Sequence, residues 1–289
     1  MFESIKNSWE MTKASLEVMK KDKELFLFPI LGGIFSVLFV IAILFPTVIA
    51  ALLKGVAPGA ITTTVWYTVV FLVYFGLAFI ATFFNTCVVY TAKTRFGGGN
   101  ATFMDSIKFA ASRIHLIFMW AIVSATVGLL LRILDNIAEN MGELGQLVMS
   151  ILIGMLGAAW SFITIFIVPI MVYEGKSPFA ALKRSMELLK KTWGEGIVGM
   201  VGLGVTQMIF IVIGVVIGVV LFLVTMSLGL IAFIIAMGFV ALYFIIVFTF
   251  FSALTAIFDT ALYIYATEGK MPGGFDEEKV KSSVKHKKK

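Results

Sequence analysis

Of the 289 residues, 60% are hydrophobic and only 14% are charged, a balance that excludes a water-soluble core wrapped in a polar surface and makes lipid the solvent of most side chains. The net charge of +6 invites a nucleic-acid reading, but Lys and Arg cluster between the apolar runs as a topology signal, and nucleic acid is excluded as a partner on that ground. A single cysteine, Cys87, and two histidines, His115 and His286, leave no disulfide framework and no multi-residue metal centre, and no cofactor is expected.

The chain opens on a segment at 2–22 in which Phe2, Ile5, Trp9, Thr12, Leu16 and Met19 recur at steps of three and four. Glu3, Lys6, Glu10, Lys13, Glu17 and Lys20 occupy the other side, so an amphipathic helix is predicted, with the mixed signs of a structural elbow. Uncharged stretches follow at 25–53, 55–92, 116–131, 144–173 and 196–258. A span needs about 20 apolar residues, so the first four stretches supply one each. The fifth is long enough for two, folded at Thr225-Met226-Ser227-Leu228-Gly229. The predicted spans are 28–53, 62–92, 114–134, 147–173, 197–224 and 229–262, the third short enough for Arg132 to snorkel. Further amphipathic helices are predicted at 102–113, where Thr102 and Asp105 resemble a capping box, and at 178–193, where Ser177 precedes Pro178. A single membrane domain at 1–270 ends in a basic tail at 271–289. The first run is about twice the length of a signal-peptide core and is read as a retained span.

Lys and Arg number five before the first span, then one, four, one, five and none in successive connections, and seven in the tail. The alternation puts both termini in the cytoplasm of a multi-pass cell-membrane protein. The connections left outside are too short for a soluble domain.

The segments before spans one, three and five repeat. Ser4-Ile5-Lys6, Ser106-Ile107-Lys108 and Ala181-Leu182-Lys183 align, and in that frame Ser8, Ala110 and Ser185 correspond. Phe84-Asn85-Thr86 in span two matches Phe258-Asp259-Thr260 in span six, whereas span four carries Pro169 instead. The predicted fold is therefore all-α, with three parallel repeats of an interfacial helix and a transmembrane hairpin, unlike the inverted repeats of many transporters.

These elbows, the segment Tyr173-Glu174-Gly175-Lys176-Ser177-Pro178, and the ending Ala261-Leu262-Tyr263-Ile264-Tyr265-Ala266-Thr267 with Pro272-Gly273-Gly274-Phe275-Asp276 resemble an uncharacterised prokaryotic family of six-span membrane proteins. The chain is more loosely similar to the membrane domain of some glycerophosphodiester phosphodiesterases, without their catalytic domain. The resemblance implies an architecture and carries over no site residue.

Asp259 is the one formal charge placed within a span, which makes it a functional candidate, although it lies near a span end where a carboxylate reaches water or a neighbouring helix. Asn85 is its counterpart, and hydrogen bonding is the requirement the two share. Gln207 is expected to form an interhelical hydrogen bond. Asp135, Glu139 and Glu143, four residues apart, are expected on one external acidic helix face, either solvated or collecting cations. Gly214 and Gly218 are spaced for close helix packing within the bundle, and Cys87 reads as a small packing residue.

Three function classes stay open. A non-enzymatic protein that binds or organises membrane lipid or a partner membrane protein, including a second copy of itself, fits best. A channel or transporter for a small solute or ion is next, and a membrane enzyme third, because the spans lack clustered His, Asp or Glu. A lipid-filled lateral groove favours the first class, and a continuous polar cavity the second. In a Cys87→Ala background, single cysteines replacing Gly55, Asn140 and Ser227 should react with an impermeant thiol reagent from outside, and those replacing Ser4, Asn100, Ser177 and Ser283 should not. The opposite labelling pattern would overturn the topology.

Overall fold

In hydrocarbon, every backbone N–H and C=O must be satisfied within the protein, and a long uncharged run achieves this as a helix. The computed structural model describes residues 12–13, 15–20, 22–53 and 63–272, with side chains for all of these except 47–53, 63 and 193–202. Among the described residues the elements are α1 (Glu24–Leu53), α2 (Thr63–Phe96), α3 (Phe103–Ser112), α4 (Ile114–Glu139), α5 (Glu143–Ile163), α6 (Ile167–Glu174), α7 (Pro178–Lys191), α8 (Trp193–Thr225) and α9 (Leu230–Glu268). Six stretches of these are long and apolar enough to cross a membrane: Glu24–Pro46, Thr64–Phe96, Ile114–Glu139, Glu143–Glu174, Leu203–Thr225 and Leu230–Glu268. The protein is thus a multi-pass, all-helical membrane protein. The third span outruns its expected end at 134, and Arg132 is held by Asp135 at 2.8 Å. Most of the first amphipathic segment, with Trp9, lies outside the described residues, as do the connection at 54–62 and the tail from 273; the side chain of Trp193 is likewise outside them.

The chain divides into two compact units. One comprises Met1–Ile30, Val88–Phe103 and Leu188–Lys289. Its hairpin of α8 and α9 turns where the Leu228 N–H donates to the Thr225 carbonyl at 3.0 Å and Gly229 adopts φ +96°, a conformation that L side chains rarely take. Lipid provides no hydrophobic drive for helix association, so small residues and ring contacts must supply it. Gly214 does so directly: a Cβ there would fall 2.4 Å from Cε1 of Tyr243, and the Tyr243 hydroxyl donates to the Phe210 carbonyl at 2.8 Å. The glycine pair expected to serve packing within the bundle is therefore used inside this hairpin, Gly218 facing Val240. Towards its C-terminal end α9 buries Phe251, Leu254, Ile257, Phe258 and Leu262, and near the start of α1 Phe28 stacks on Phe103 at 5.1 Å.

The other unit comprises Leu31–Cys87 and Met104–Glu187. Its helices meet through rings, Trp120 on Trp160 at 5.6 Å and Phe75 edge-on to Phe118 at 5.2 Å, and through the Asn136 amide donating to the Tyr67 hydroxyl at 3.0 Å. Here the fourth span breaks between α5 and α6. Pro169 has no N–H for the carbonyl of Ile165, four residues back, and its ring crowds that carbonyl. The helix tightens locally, with the Ile167 N–H donating to Thr164 instead of Ile163. The Ile163 carbonyl freed by this shift accepts the Ser185 hydroxyl of α7 at 2.5 Å.

Two short helices precede spans and are separated from them by single non-helical residues, α3 by Arg113 (φ −105°, ψ 11°) and α7 by Thr192 (φ −113°, ψ 22°). α7 has 14 residues against 10 in α3, one turn more. Ser106 and Ala110 are buried in α3, and Ala181, Ser185, Leu188 and Leu189 in α7. Ser185→Ala should lower stability in detergent by about 1 kcal/mol, the net worth of one hydrogen bond. In a Pro169→Ala background, which lets Ile167 bond Ile163 again, the same change should cost less; equal losses in both backgrounds would separate the serine from the helix break.

Candidate functional site

Asn85 lies in α2 and Asp259 in α9, and each sits in the same kind of local shell. A buried phenylalanine precedes each, Phe84 or Phe258, and a fully buried threonine follows. The Thr86 and Thr260 hydroxyls turn back onto their own helices, donating to Thr82 and Ala256 at 2.8 and 2.7 Å. This self-bonding satisfies the hydroxyls in apolar surroundings and removes them as donors to the neighbouring polar group. The result is that Oδ1 of Asn85 and Oδ1 of Asp259 are buried with no hydrogen-bond partner among the described residues. Of the two partners expected for Asp259, water or a donor on a neighbouring helix, the second is not seen among the described residues. The flanking aromatic and aliphatic residues offer none.

Gln207 is half-buried in α8, and the expected interhelical hydrogen bond from its amide is not seen among the described residues. The acidic face expected at the third loop is also broken. α4 ends at Glu139, the chain turns through Asn140, Met141 and Gly142, and Glu143 opens α5, so the four-residue spacing does not run along one helix. Asp135 is paired with Arg132, while Glu139 and Glu143 are exposed. Among the described residues no group of three or more His, Cys, Asp or Glu is placed to hold a metal ion. Cys87 is fully buried, its thiol pointing to the Ser106 carbonyl at 3.6 Å.

Polar contacts that spacing did not single out gather at helix ends. Asp22, just before α1 and 6% exposed, pairs with Arg95 in the last turn of α2 at 2.9 Å, and the same Nη2 donates to the Asn100 side chain at 2.6 Å. Glu174 at the end of α6 receives Arg184 of α7 at 3.4 Å, and Arg184 also reaches Glu187. Burial draws the Arg184 pKa down, but Glu174 and Glu187 outweigh it and hold the guanidinium above its ordinary value. Opposite signs flanking the apolar runs were the available signal for both pairs; a count of basic residues for topology passes over it.

The arrangement supplies unpartnered oxygens inside spans and ion pairs at helix ends, with no nucleophile, base and metal set gathered among the described residues. Residues 64–274 match the family of unknown function DUF6159. The chain belongs to that family. The matched region takes in Asn85, Asp259, Pro169 and Ser185. None of the curated proteins compared matches, so the looser likeness to the membrane domain of glycerophosphodiester phosphodiesterases has no match behind it.

One oxygen of the half-buried Asp259 carboxyl is buried without a partner, so Asp259→Leu should raise the melting temperature of the purified protein in detergent, and Asp259→Asn should be tolerated. A lower melting temperature for Asp259→Leu would instead reveal a donor satisfying the carboxyl.

Proposed function

We propose that this chain is a non-enzymatic cell-membrane protein that binds and organises lipid, with both termini cytoplasmic and its short helices lying in the inner headgroup layer. The observation that carries this reading is the three-sided character of those helices. At 100° per residue, the buried edge of α7 (Ala181, Ser185, Leu188) and its exposed apolar stripe lie about 125° apart, with the charged side roughly a further 90° round. Phe179, 73% exposed, and Met186, 42% exposed, form that stripe with half-buried Leu182, and Lys183, Glu187, Lys190 and Lys191 form the charged side. α3 has the same rotational order: Ser106 and Ala110 buried, then Met104 and Ile107, then Asp105 and Lys108.

A helix on the surface of a water-soluble protein needs two faces. A third, apolar and exposed, fits a helix touching protein on one side, acyl chains beneath and water above. The order shared by α3 and α7 supports the reading of parallel repeats seated the same way in the membrane. The basic residues on the outward side give attraction to anionic headgroups, about 1 kcal/mol for each one near the surface.

Spin labels on single cysteines replacing Phe179, Met186, Lys183 and Lys190, in a Cys87→Ala background in liposomes, test it. The first two should be relaxed mainly by oxygen and the last two by a water-soluble nickel chelate; equal chelate access at all four would remove the headgroup-layer placement. The alternative class, a channel or transporter, draws on Asp259, because an unpartnered carboxyl in a span is costly and is kept in many proteins for proton or ion movement. Proton-driven flux in liposomes that disappears in Asp259→Asn, with the fold intact, would place that class first.

A further inference from the structure

Arg113 is the single non-helical residue between α3 and α4, and its backbone is fully used. Its N–H donates to the Ala110 carbonyl at 3.0 Å, and its carbonyl accepts the N–H groups of Leu116 and Ile117 at 2.9 and 3.1 Å. Its side chain is not used in this way. The other three arginines of the sequence each meet a carboxylate, Arg95 that of Asp22, Arg132 that of Asp135, and Arg184 those of Glu174 and Glu187. The Arg113 guanidinium meets none among the described residues, and its buried Nε has no hydrogen-bond partner there. Carboxylates on the neighbouring elements are engaged or distant: Glu174 holds Lys176 and Arg184, and Asp105 lies eight residues back along α3, about 12 Å. The guanidinium is nonetheless held in place. It lies over the Phe109 ring at 5.8 Å, and that ring packs on Tyr173 at 5.6 Å.

We propose that Arg113 binds a phosphate group, supplied by the headgroup of a phospholipid in the inner leaflet. The inference rests on the lipid-binding reading above and names a residue and a ligand class for it. A guanidinium keeps its charge on burial, so a half-buried one without a counter-charge is stabilised by an anion that completes it. Its planar fork matches the oxygens of a phosphate, to which it donates two hydrogen bonds at once. The location supplies that anion. α3 ends at Ser112 and the third span begins at Ile114, so with α3 seated in the headgroup layer Arg113 stands at the level of the lipid phosphates. Lys108 and His115, both exposed on either side of it, add no negative charge to compete. The Phe109 ring fixes the fork before the ligand arrives, which lowers the ordering cost that an exposed, unsupported side chain carries on binding.

Titration of the full chain in detergent with phosphatidylglycerol, read by native mass spectrometry, tests the site. Arg113→Gln should weaken the tightest lipid-binding step about tenfold, the loss expected for a charge-assisted hydrogen-bonded pair. Arg113→Lys, which keeps the charge and loses the fork, should fall between the two and guards against misfolding of the glutamine variant. Lys183→Gln, at an exposed lysine of α7, should change that step far less. A parallel titration with inorganic phosphate separates the two sources of the group: the lipid should bind much more tightly than the free ion. Free phosphate binding as tightly as the lipid, and lost in Arg113→Gln, would overturn the headgroup assignment. Equal lipid affinity in wild type and both Arg113 variants would overturn Arg113 as the site and leave the lipid reading standing. No phosphatidylglycerol retained by the wild-type protein would overturn the lipid reading itself.

Discussion

The constraint on which the rest of this structure depends is that hydrocarbon contains no water to receive a backbone N–H or C=O. It makes the six apolar stretches helical, and it also governs the place where one helix fails. Pro169 removes a donor and crowds a carbonyl, so the fourth span must tighten at Thr164–Phe166 and release the Ile163 carbonyl from its usual partner. Ser185 satisfies that carbonyl, and its hydroxyl and the Arg184–Glu174 pair tie α7 to the span. The position of the short helix α7 is thus coupled to a break in the fourth span.

Polar side chains follow the same constraint with two outcomes. At helix ends, where water or an opposite charge is within reach, Asp22 meets Arg95 and Glu174 meets Arg184. Within the spans, threonines return their hydroxyls to their own helices, leaving the oxygens of Asn85 and Asp259 without donors among the described residues. Nothing in packing rewards a carboxyl there.

Association of the spans relies on contact rather than on expulsion of water, because lipid tails are as apolar as the side chains. That explains why aromatic pairs such as Trp120 with Trp160 and the approach of Tyr243 to Gly214 recur between helices.

What the sequence by itself determined is what depends on local length and polarity. An uncharged run of 20 or more residues has one stable form in hydrocarbon, so the six spans, the hairpin turn at Thr225–Gly229 and the short helices before spans three and five were all legible. Family membership was legible for the same reason, through motifs contiguous in the chain. Extrapolating helical spacing through a turn misplaced Glu143 relative to Asp135 and Glu139, because the helix stops at Glu139 where Asn140 to Gly142 reverse the chain. The hydrogen bond expected of Gln207 is not seen among the described residues. Only the tertiary structure decided that Asp22 meets Arg95, that Ser185 takes the carbonyl released near Pro169, that Asp259 has no protein donor among the described residues, and that the Tyr243 ring fills the space Gly214 leaves. Each of these depends on which helix ends and faces the folded chain brings together, a property that neither periodicity nor composition encodes.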